Sequence, residues 1–108
     1  MTAGTHALAN AARGEATICI AEVERVVRPS FAALVAAEAE TGSLVALAER
    51  AANGAIGLAE IEALIWHCLA DRETLTREMI GAALVDMGLT GAMPAVRAIL
   101  SQLLIGGQ

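Results

Sequence analysis

Helical periodicity extends through the chain after Pro29, and this pattern most limits the folds that the sequence can adopt. Apolar residues recur three and four positions apart, which is the spacing of a helix that buries one face. A Ser or Thr precedes several of these segments and a Gly follows several of them, and these residue types favour helix starts and helix ends. The pattern predicts four to five short helices within residues 30–105.

The start and stop signals give the boundaries of the predicted helices. In chain order these helices cover residues 31–40 after Ser30, 44–52 after Ser43, 58–71, 77–87 between Thr76 and Gly88, and 91–105. Pro94 lies in the first turn of the last helix, where its missing N–H costs little. The residues at helical spacing in each segment are Phe31, Leu34, Val35 and Glu38; Leu44, Leu47, Ala48 and Ala51; Ile61, Leu64, Ile65, Cys68 and Leu69; Ile80, Ala83, Leu84 and Met87; and Val96, Ile99, Leu100, Leu103 and Leu104.

A short segment before Pro29 has a different period. Apolar and more polar residues alternate over Ala16–Ile20, as in a strand with one buried face. A second extended run, residues 25–28, follows the link Glu22-Val23-Glu24. The two runs predict a β-hairpin within residues 13–28, and a lone hairpin must pack against other elements to be stable.

These segments predict one mainly α domain of the α+β class, in which an N-terminal hairpin precedes a compact helical bundle. The domain covers residues 13–106, and residues 1–12 are expected to form a flexible N-terminus because they are small and polar with little pattern. Hydrophobic residues make up 56% of the chain. That content is enough for a core and leaves further apolar residues at the surface. We expect a second copy in a homo-oligomer, or another partner, to cover part of this apolar surface.

Charge and cysteine usage exclude several classes of protein. The chain has 7 basic residues, all arginine, against 12 acidic residues, a net charge of −5. Nucleic-acid binding is therefore not expected, because phosphates need clustered basic side chains. No apolar stretch predicts a membrane span or a signal peptide. Two cysteines without CxxC spacing indicate free thiols in a reducing cytoplasm, where we expect the protein to be located.

The sequence offers little for catalysis or for binding a cofactor or metal. His67 and Cys68 are adjacent, but neighbouring helical residues point about 100° apart and so do not form a nucleophile–base pair. Glu38 with Glu40, or Asp71 with Glu73, could form a carboxylate pair, yet nothing raises the pKa of one member. The second histidine, His6, lies in the N-terminal segment. We predict no enzyme activity, no cofactor and no metal site.

The order of short motifs along the chain resembles a known family. The motifs are Arg13-Gly14-Glu15-Ala16, Arg28-Pro29-Ser30-Phe31-Ala32-Ala33-Leu34, Glu38 before Thr41-Gly42, Ser43-Leu44-Val45-Ala46-Leu47-Ala48-Glu49-Arg50, Asn53-Gly54, Leu58-Ala59-Glu60-Ile61, Cys68-Leu69, Leu75-Thr76-Arg77-Glu78 and Asp86-Met87-Gly88-Leu89. This series, over roughly residues 12–106, resembles the gene transfer agent tail protein family. These small phage-tail-like proteins are regarded as tail assembly chaperones and are sometimes labelled tail tube proteins.

The chain departs from the family pattern in two loops. Val23-Glu24 stands where such proteins often have Asp-Gly at the hairpin turn, and residues 70–73 replace a Gly-rich turn. The resemblance implies a non-enzymatic tail assembly chaperone that binds and solubilises the tape measure protein, with tail tube subunits as possible further partners. The alternative within the same family is a structural tube or adaptor subunit that stays in the particle.

For such a role the sequence predicts two sets of contact residues. A helix-in-groove contact with the partner would use exposed apolar residues. The predicted partner-binding residues are Trp66, Leu69, Leu100, Leu103 and Leu104. Ile18 and Ile20 mark the hairpin edge, which could self-associate by strand pairing. Two other classes stay open as weaker alternatives: a small enzyme using His67, Cys68 or the Asp71/Glu73 carboxylates, and a helical transcriptional regulator.

Overall fold

The computed structural model describes residues 15–106, so the predicted flexible segment 1–12 lies outside the described residues. Within this part of the chain a two-stranded antiparallel sheet precedes four helices. The elements are β1 (Ala16–Ile20), β2 (Val23–Val27), α1 (Phe31–Thr41), α2 (Leu44–Ala52), α3 (Leu58–Cys68) and α4 (Arg77–Ile105). The predicted fold class, a hairpin followed by a mainly helical bundle, is confirmed.

The hairpin turn differs from the prediction. Strand β1 pairs with β2 so that Ile20 lies opposite Val23, which leaves only Ala21 and Glu22 in the turn. Both turn residues have positive φ, 55° and 65°. This is the backbone of a type I′ turn, which matches the right-handed twist of the strands. The predicted link Glu22-Val23-Glu24 is therefore wrong. The sequence did not mark the true turn, because Ala21 and Glu22 are not the Asn or Gly that usually occupy such a turn.

The far end of the hairpin is joined to the end of α3. The backbone N–H of Arg28 donates to the carbonyl of Cys68 at 2.6 Å, and the N–H of Ala70 donates to the carbonyl of Val26 at 2.9 Å. Val27 and Leu69 thereby form an antiparallel bridge. This pairing ends α3 at Cys68, three residues before the predicted boundary at 71, because the chain must become extended to meet β2.

Three predicted helix caps are confirmed. The hydroxyl oxygens of Ser30, Ser43 and Thr76 each accept a hydrogen bond from the backbone N–H three residues later, at 3.1, 3.1 and 3.2 Å. Each bond satisfies an N–H that has no partner inside the helix. Gly42 ends α1 with φ of 87°, a conformation that favours glycine.

Gly88 divides α4. Its φ of 77° and ψ of 159° are not helical, so the helical run bends between segments 77–87 and 89–105. The predicted stop at Gly88 is therefore confirmed. The second segment begins at Leu89 rather than near Gly91, which places Pro94 in its second turn and corrects the predicted first-turn position.

The core forms where α3 packs against α1 and α4, with β1 against α4 on one side. The large side chains that are fully buried are Ile20, Val27, Leu44, Leu47, Ile61, Leu64, Ile65, Cys68, Ile80, Leu84, Val96 and Ile99. Every helix except α1 contributes at least two of them. The only fully buried side chain of α1 is Ala37.

By length and hydropathy alone, α4 is apolar enough to cross a membrane. The break at Gly88 leaves two segments, each shorter than the roughly 20 residues that span a bilayer. Seven α4 side chains are also buried within the protein. Both features suit a core helix, and the absence of membrane contact stays a prediction.

Substitutions in the hairpin turn test the positive φ angles of residues 21 and 22. We expect the double change Ala21→Asn and Glu22→Gly to raise the free energy of unfolding by about 1 kcal/mol, because these residues adopt positive φ at lower cost. Urea unfolding of the variant and the parent measures the difference. As a matched control, Glu24→Gly in β2 should instead destabilise the protein, since glycine weakens a strand. A loss of stability in the turn variant would contradict the turn assignment.

Candidate interaction surfaces

The residues considered for catalysis are held in structural contacts. Cys68 is fully buried, and burial raises the pKa of its thiol to about 12, so it stays protonated at neutral pH. The Nε2 atom of His67 is hydrogen-bonded to Glu40 Oε1 at 2.8 Å. Asp71 Oδ1 accepts the backbone N–H of Glu73 at 3.3 Å in the exposed loop before α4. Among residues 15–106 no group of three His, Cys, Asp or Glu side chains could hold a metal ion.

Trp66 is half-buried and its ring is covered by two arginines. The guanidinium carbon of Arg72 lies 5.0 Å from the ring centroid, and that of Arg77 lies 6.0 Å away. Both distances allow cation–π interactions, and these interactions hold the Trp66 ring in place. Leu69, the other contact predicted in this region, is buried where it bridges to Val27. Partner binding by Trp66 and Leu69 stays a prediction.

Arg77 links three helices through a cluster of ion pairs. Its guanidinium contacts Glu62 on α3 at 2.8 and 2.7 Å and Glu40 on α1 at 2.8 and 2.7 Å. The two carboxylates raise the pKa of Arg77. The hydrogen bonds from Arg77 and then His67 lower the pKa of Glu40 from 4.5 to about 2. The cluster fixes the end of α1 against α3 and α4.

The lowered pKa of Glu40 predicts a loss of stability in acid. A carboxylate whose pKa is lower in the folded chain contributes stability above pH 4.5, and that contribution disappears as the pH falls through about 2. Because 39% of the Glu40 side chain is exposed, we expect a contribution of about 1 kcal/mol. The free energy of unfolding of Glu40→Gln should be lower than that of the parent at about pH 6, and the difference should shrink as the pH falls and vanish below about pH 2. A difference that is independent of pH would contradict the ion-pair assignment.

An apolar groove lies between α2 and the second segment of α4, with a volume of about 280 Å³. Its lining residues are Ala48, Ala51, Ala52, Met93, Val96, Arg97, Leu100 and Leu104. Leu100 is 7% exposed, whereas Leu104 is 54% exposed at the end of α4. The structure thus brings two of the predicted contact residues into one groove. Leu103 packs partly against the core beside it, while Trp66 and Leu69 do not line it.

The solvent side of α1 is a second apolar surface, which the sequence prediction missed. Phe31 is 84% exposed and Val35 is 48% exposed, and Ala32 and Ala39 are exposed beside them. The inward side of the helix is instead formed by Ala37, with Ala33 and Leu34 partly buried. Helical spacing alone did not identify the buried side. The sequence feature that could have indicated this surface is the lack of any charged residue in α1 before Glu38, which makes the first two turns of the helix apolar on all sides.

Ile18 and Ile20, the predicted self-association residues, both point into the core. They are buried where the sheet meets the helices. Self-association through this strand would therefore depend on the backbone edge of β1, and it stays a prediction.

Comparison with known proteins bears on the role of these surfaces. The sequence profile of a family described as phage tail tube protein, GTA-gp10, matches residues 13–106. No curated protein and no solved structure matches the chain. The matched residues include the hairpin and all four helices, and so both apolar surfaces. The chain therefore belongs to the phage tail tube protein, GTA-gp10, family.

Proposed function

We propose that this protein is a non-enzymatic structural subunit, a tube or adaptor component, of a phage-tail-like particle that is assembled in the cytoplasm. The observation that carries the proposal is the match of residues 13–106 to a family described as tail tube proteins. That description favours a retained subunit over an assembly chaperone.

The placement of the exposed apolar residues supports a subunit role. One apolar surface is the solvent side of α1, and the other is the groove between α2 and α4, which includes no α1 residue. Exposed apolar patches of this kind commonly mark protein contacts. A subunit in an extended assembly needs separate surfaces for its neighbours, and two distinct surfaces meet that requirement.

A tail assembly chaperone is the second candidate function. It is favoured by the small sheet: residues 15–106 contain only two strands, which is little for a subunit that contributes to a continuous β-ring. An apolar groove lined by alanines could also accept a helical segment of the tape measure protein. In this role the protein would leave the assembly before the particle is finished.

Co-expression with tail proteins from the same gene cluster tests both candidates. The protein would be produced with the tape measure protein and, separately, with neighbouring tail subunits. For a structural subunit we expect a stable complex with a neighbouring tail subunit, measured by pull-down and light scattering. A tape measure protein that precipitates alone but forms a soluble complex with this chain, with no complex to the other subunits, would instead support the chaperone.

A further inference from the structure

We propose that the exposed side of α1 in one copy of this chain docks antiparallel into the α2–α4 groove of a second copy. The contact would place Phe31 and Val35 against Leu104 and Leu100, and would pair Glu38 with Arg97. This inference deepens the proposed structural role and rests on it, because it identifies how one subunit would bind the next.

The first support is the composition of α1. A helix that is apolar on all sides is normally buried, because an amphipathic helix keeps polar residues on its solvent side. The first seven residues of α1, positions 31–37, contain no charged or polar side chain. Phe31, the only phenylalanine of the chain, is nevertheless 84% exposed. A partner that covers the exposed side of α1 would remove a large apolar area from water, which favours binding.

The second support is the chemistry of the groove. Seven of its eight lining residues are apolar, and its volume of about 280 Å³ can accept apolar side chains from another helix. Arg97 is its single charged residue. In the described part of the chain Arg28, Arg50 and Arg77 each pair with a glutamate, but Arg97 has no hydrogen bond or ion pair. The groove therefore favours an apolar helix that carries a carboxylate.

The third support is that two apolar residues and one glutamate on α1 have the same spacing as two leucines and one arginine that line the groove. Glu38 follows Phe31 by seven residues and Val35 by three, on the same side of the helix. Leu104 and Leu100 follow Arg97 by the same intervals. At about 1.5 Å per residue, seven residues span about 10.5 Å on either helix. With the helices antiparallel and Glu38 opposite Arg97, Val35 falls opposite Leu100 and Phe31 falls opposite Leu104.

The carboxylate of Glu38 is positioned for this contact. One of its oxygens, Oε2, accepts the backbone N–H of Leu44 at 3.0 Å and so holds the side chain at the α1–α2 corner. The other oxygen can accept a guanidinium N–H. In an acidic chain with net charge −5, an Arg–Glu pair also reduces the repulsion between copies.

The contact joins two different surfaces, so it is head-to-tail. Each copy that uses its groove still presents a free α1, and each copy that uses its α1 still presents a free groove. Such contacts add one copy after another. They end in a closed ring if the rotation between copies closes, and otherwise they give an open filament. This mode of association suits a subunit of an elongated particle.

A complementation experiment with the full chain tests the proposal. Phe31→Asp blocks the α1 surface and Leu104→Asp blocks the groove, and both positions are exposed enough that folding should be retained. Val85→Asp, at a position 70% exposed on α4 outside both surfaces, is the matched control. Molar mass would be measured by light scattering over a concentration series, with circular dichroism to verify folding.

The parent and Val85→Asp should grow beyond dimers as concentration rises, while each blocked variant should associate at least about tenfold more weakly. An equimolar mixture of the two blocked variants should form a 1:1 dimer and nothing larger, because only one complementary pair of surfaces remains. Arg97→Glu should weaken association similarly. A parent that stays monomeric, blocked variants that associate like the parent, or a mixture that stays monomeric would each overturn the proposal.

The outcomes also separate this contact from the proposed function. If the blocked variants associate normally while the protein is found in finished particles, the contact is wrong and the structural role stands. If the complementation pattern appears but finished particles lack the protein, the contact stands and the structural role fails.

Discussion

Replacing Leu64 with alanine is expected to lower the free energy of unfolding by about 3 kcal/mol. Leu64 is fully buried on α3, the helix that packs against both α1 and α4. Its truncation removes apolar contacts and leaves a cavity that close-packed neighbours cannot fill. For a domain of this size the loss is a large fraction of a total stability of about 5–14 kcal/mol.

Urea unfolding at neutral pH measures this effect, and Leu58→Ala provides the control. Leu58 lies on the same helix but is 45% exposed, so the same truncation should cost less than about 1 kcal/mol. Similar losses at the two positions would mean that α3 is not the centre of the core.

Replacing Gly88 with alanine has the second largest expected effect, a loss of about 2 kcal/mol. The φ of 77° and ψ of 159° at Gly88 lie in a region that only glycine adopts readily. A Cβ added there would meet no atom within 4 Å, so the cost comes from the backbone and not from a clash. The break matters for the interaction surfaces because it sets the direction of the second α4 segment, which forms one wall of the groove.

Gly81 gives a matched control within the same helix. Its added Cβ also meets open space, and its φ is not positive. Gly81→Ala should therefore stabilise the protein by about 0.5–1 kcal/mol, since alanine favours helices more than glycine does. The two Gly→Ala changes are thus expected to have opposite signs in thermal or urea unfolding. A stabilising effect at both positions would show that α4 does not require a break at Gly88.

Local signals were sufficient for most of the helical architecture. Ser30, Ser43 and Thr76 cap the helices that they were predicted to cap, and Gly88 stops a helical segment, because these effects act within one turn of the chain. The hairpin turn was predicted at residues 22–24 but lies at residues 21 and 22, because Ala21 and Glu22 adopt positive φ without being the residue types that favour it. The pairing of the two strands imposes that geometry.

Contacts between distant segments could not be predicted in the same way. The arginines that cover Trp66 come from the loop before α4 and from α4 itself, and the sequence does not say where those segments lie. Likewise, Phe31 and Val35 have helical spacing, but the side of α1 that faces α3 is set by small residues such as Ala37. In a helix that is apolar on all sides, periodicity cannot distinguish the buried side from the exposed one.

Two exposed apolar surfaces lie within the residues that match the family. The second segment of α4 and α2 form the groove, and α1 presents the complementary side, so the same helices that build the core leave apolar surface uncovered. In the contact that we propose, a neighbouring copy of this chain covers each of these surfaces.

The number of copies of this protein in finished particles tests the central claim most directly. Particles purified from the producing cells would be analysed by quantitative mass spectrometry, with known tail proteins as internal references. For a structural subunit we expect a fixed ratio to those proteins, unchanged after washes at high salt. If the protein is abundant in cells during assembly but absent from finished particles, the structural role is contradicted and the chaperone role takes its place.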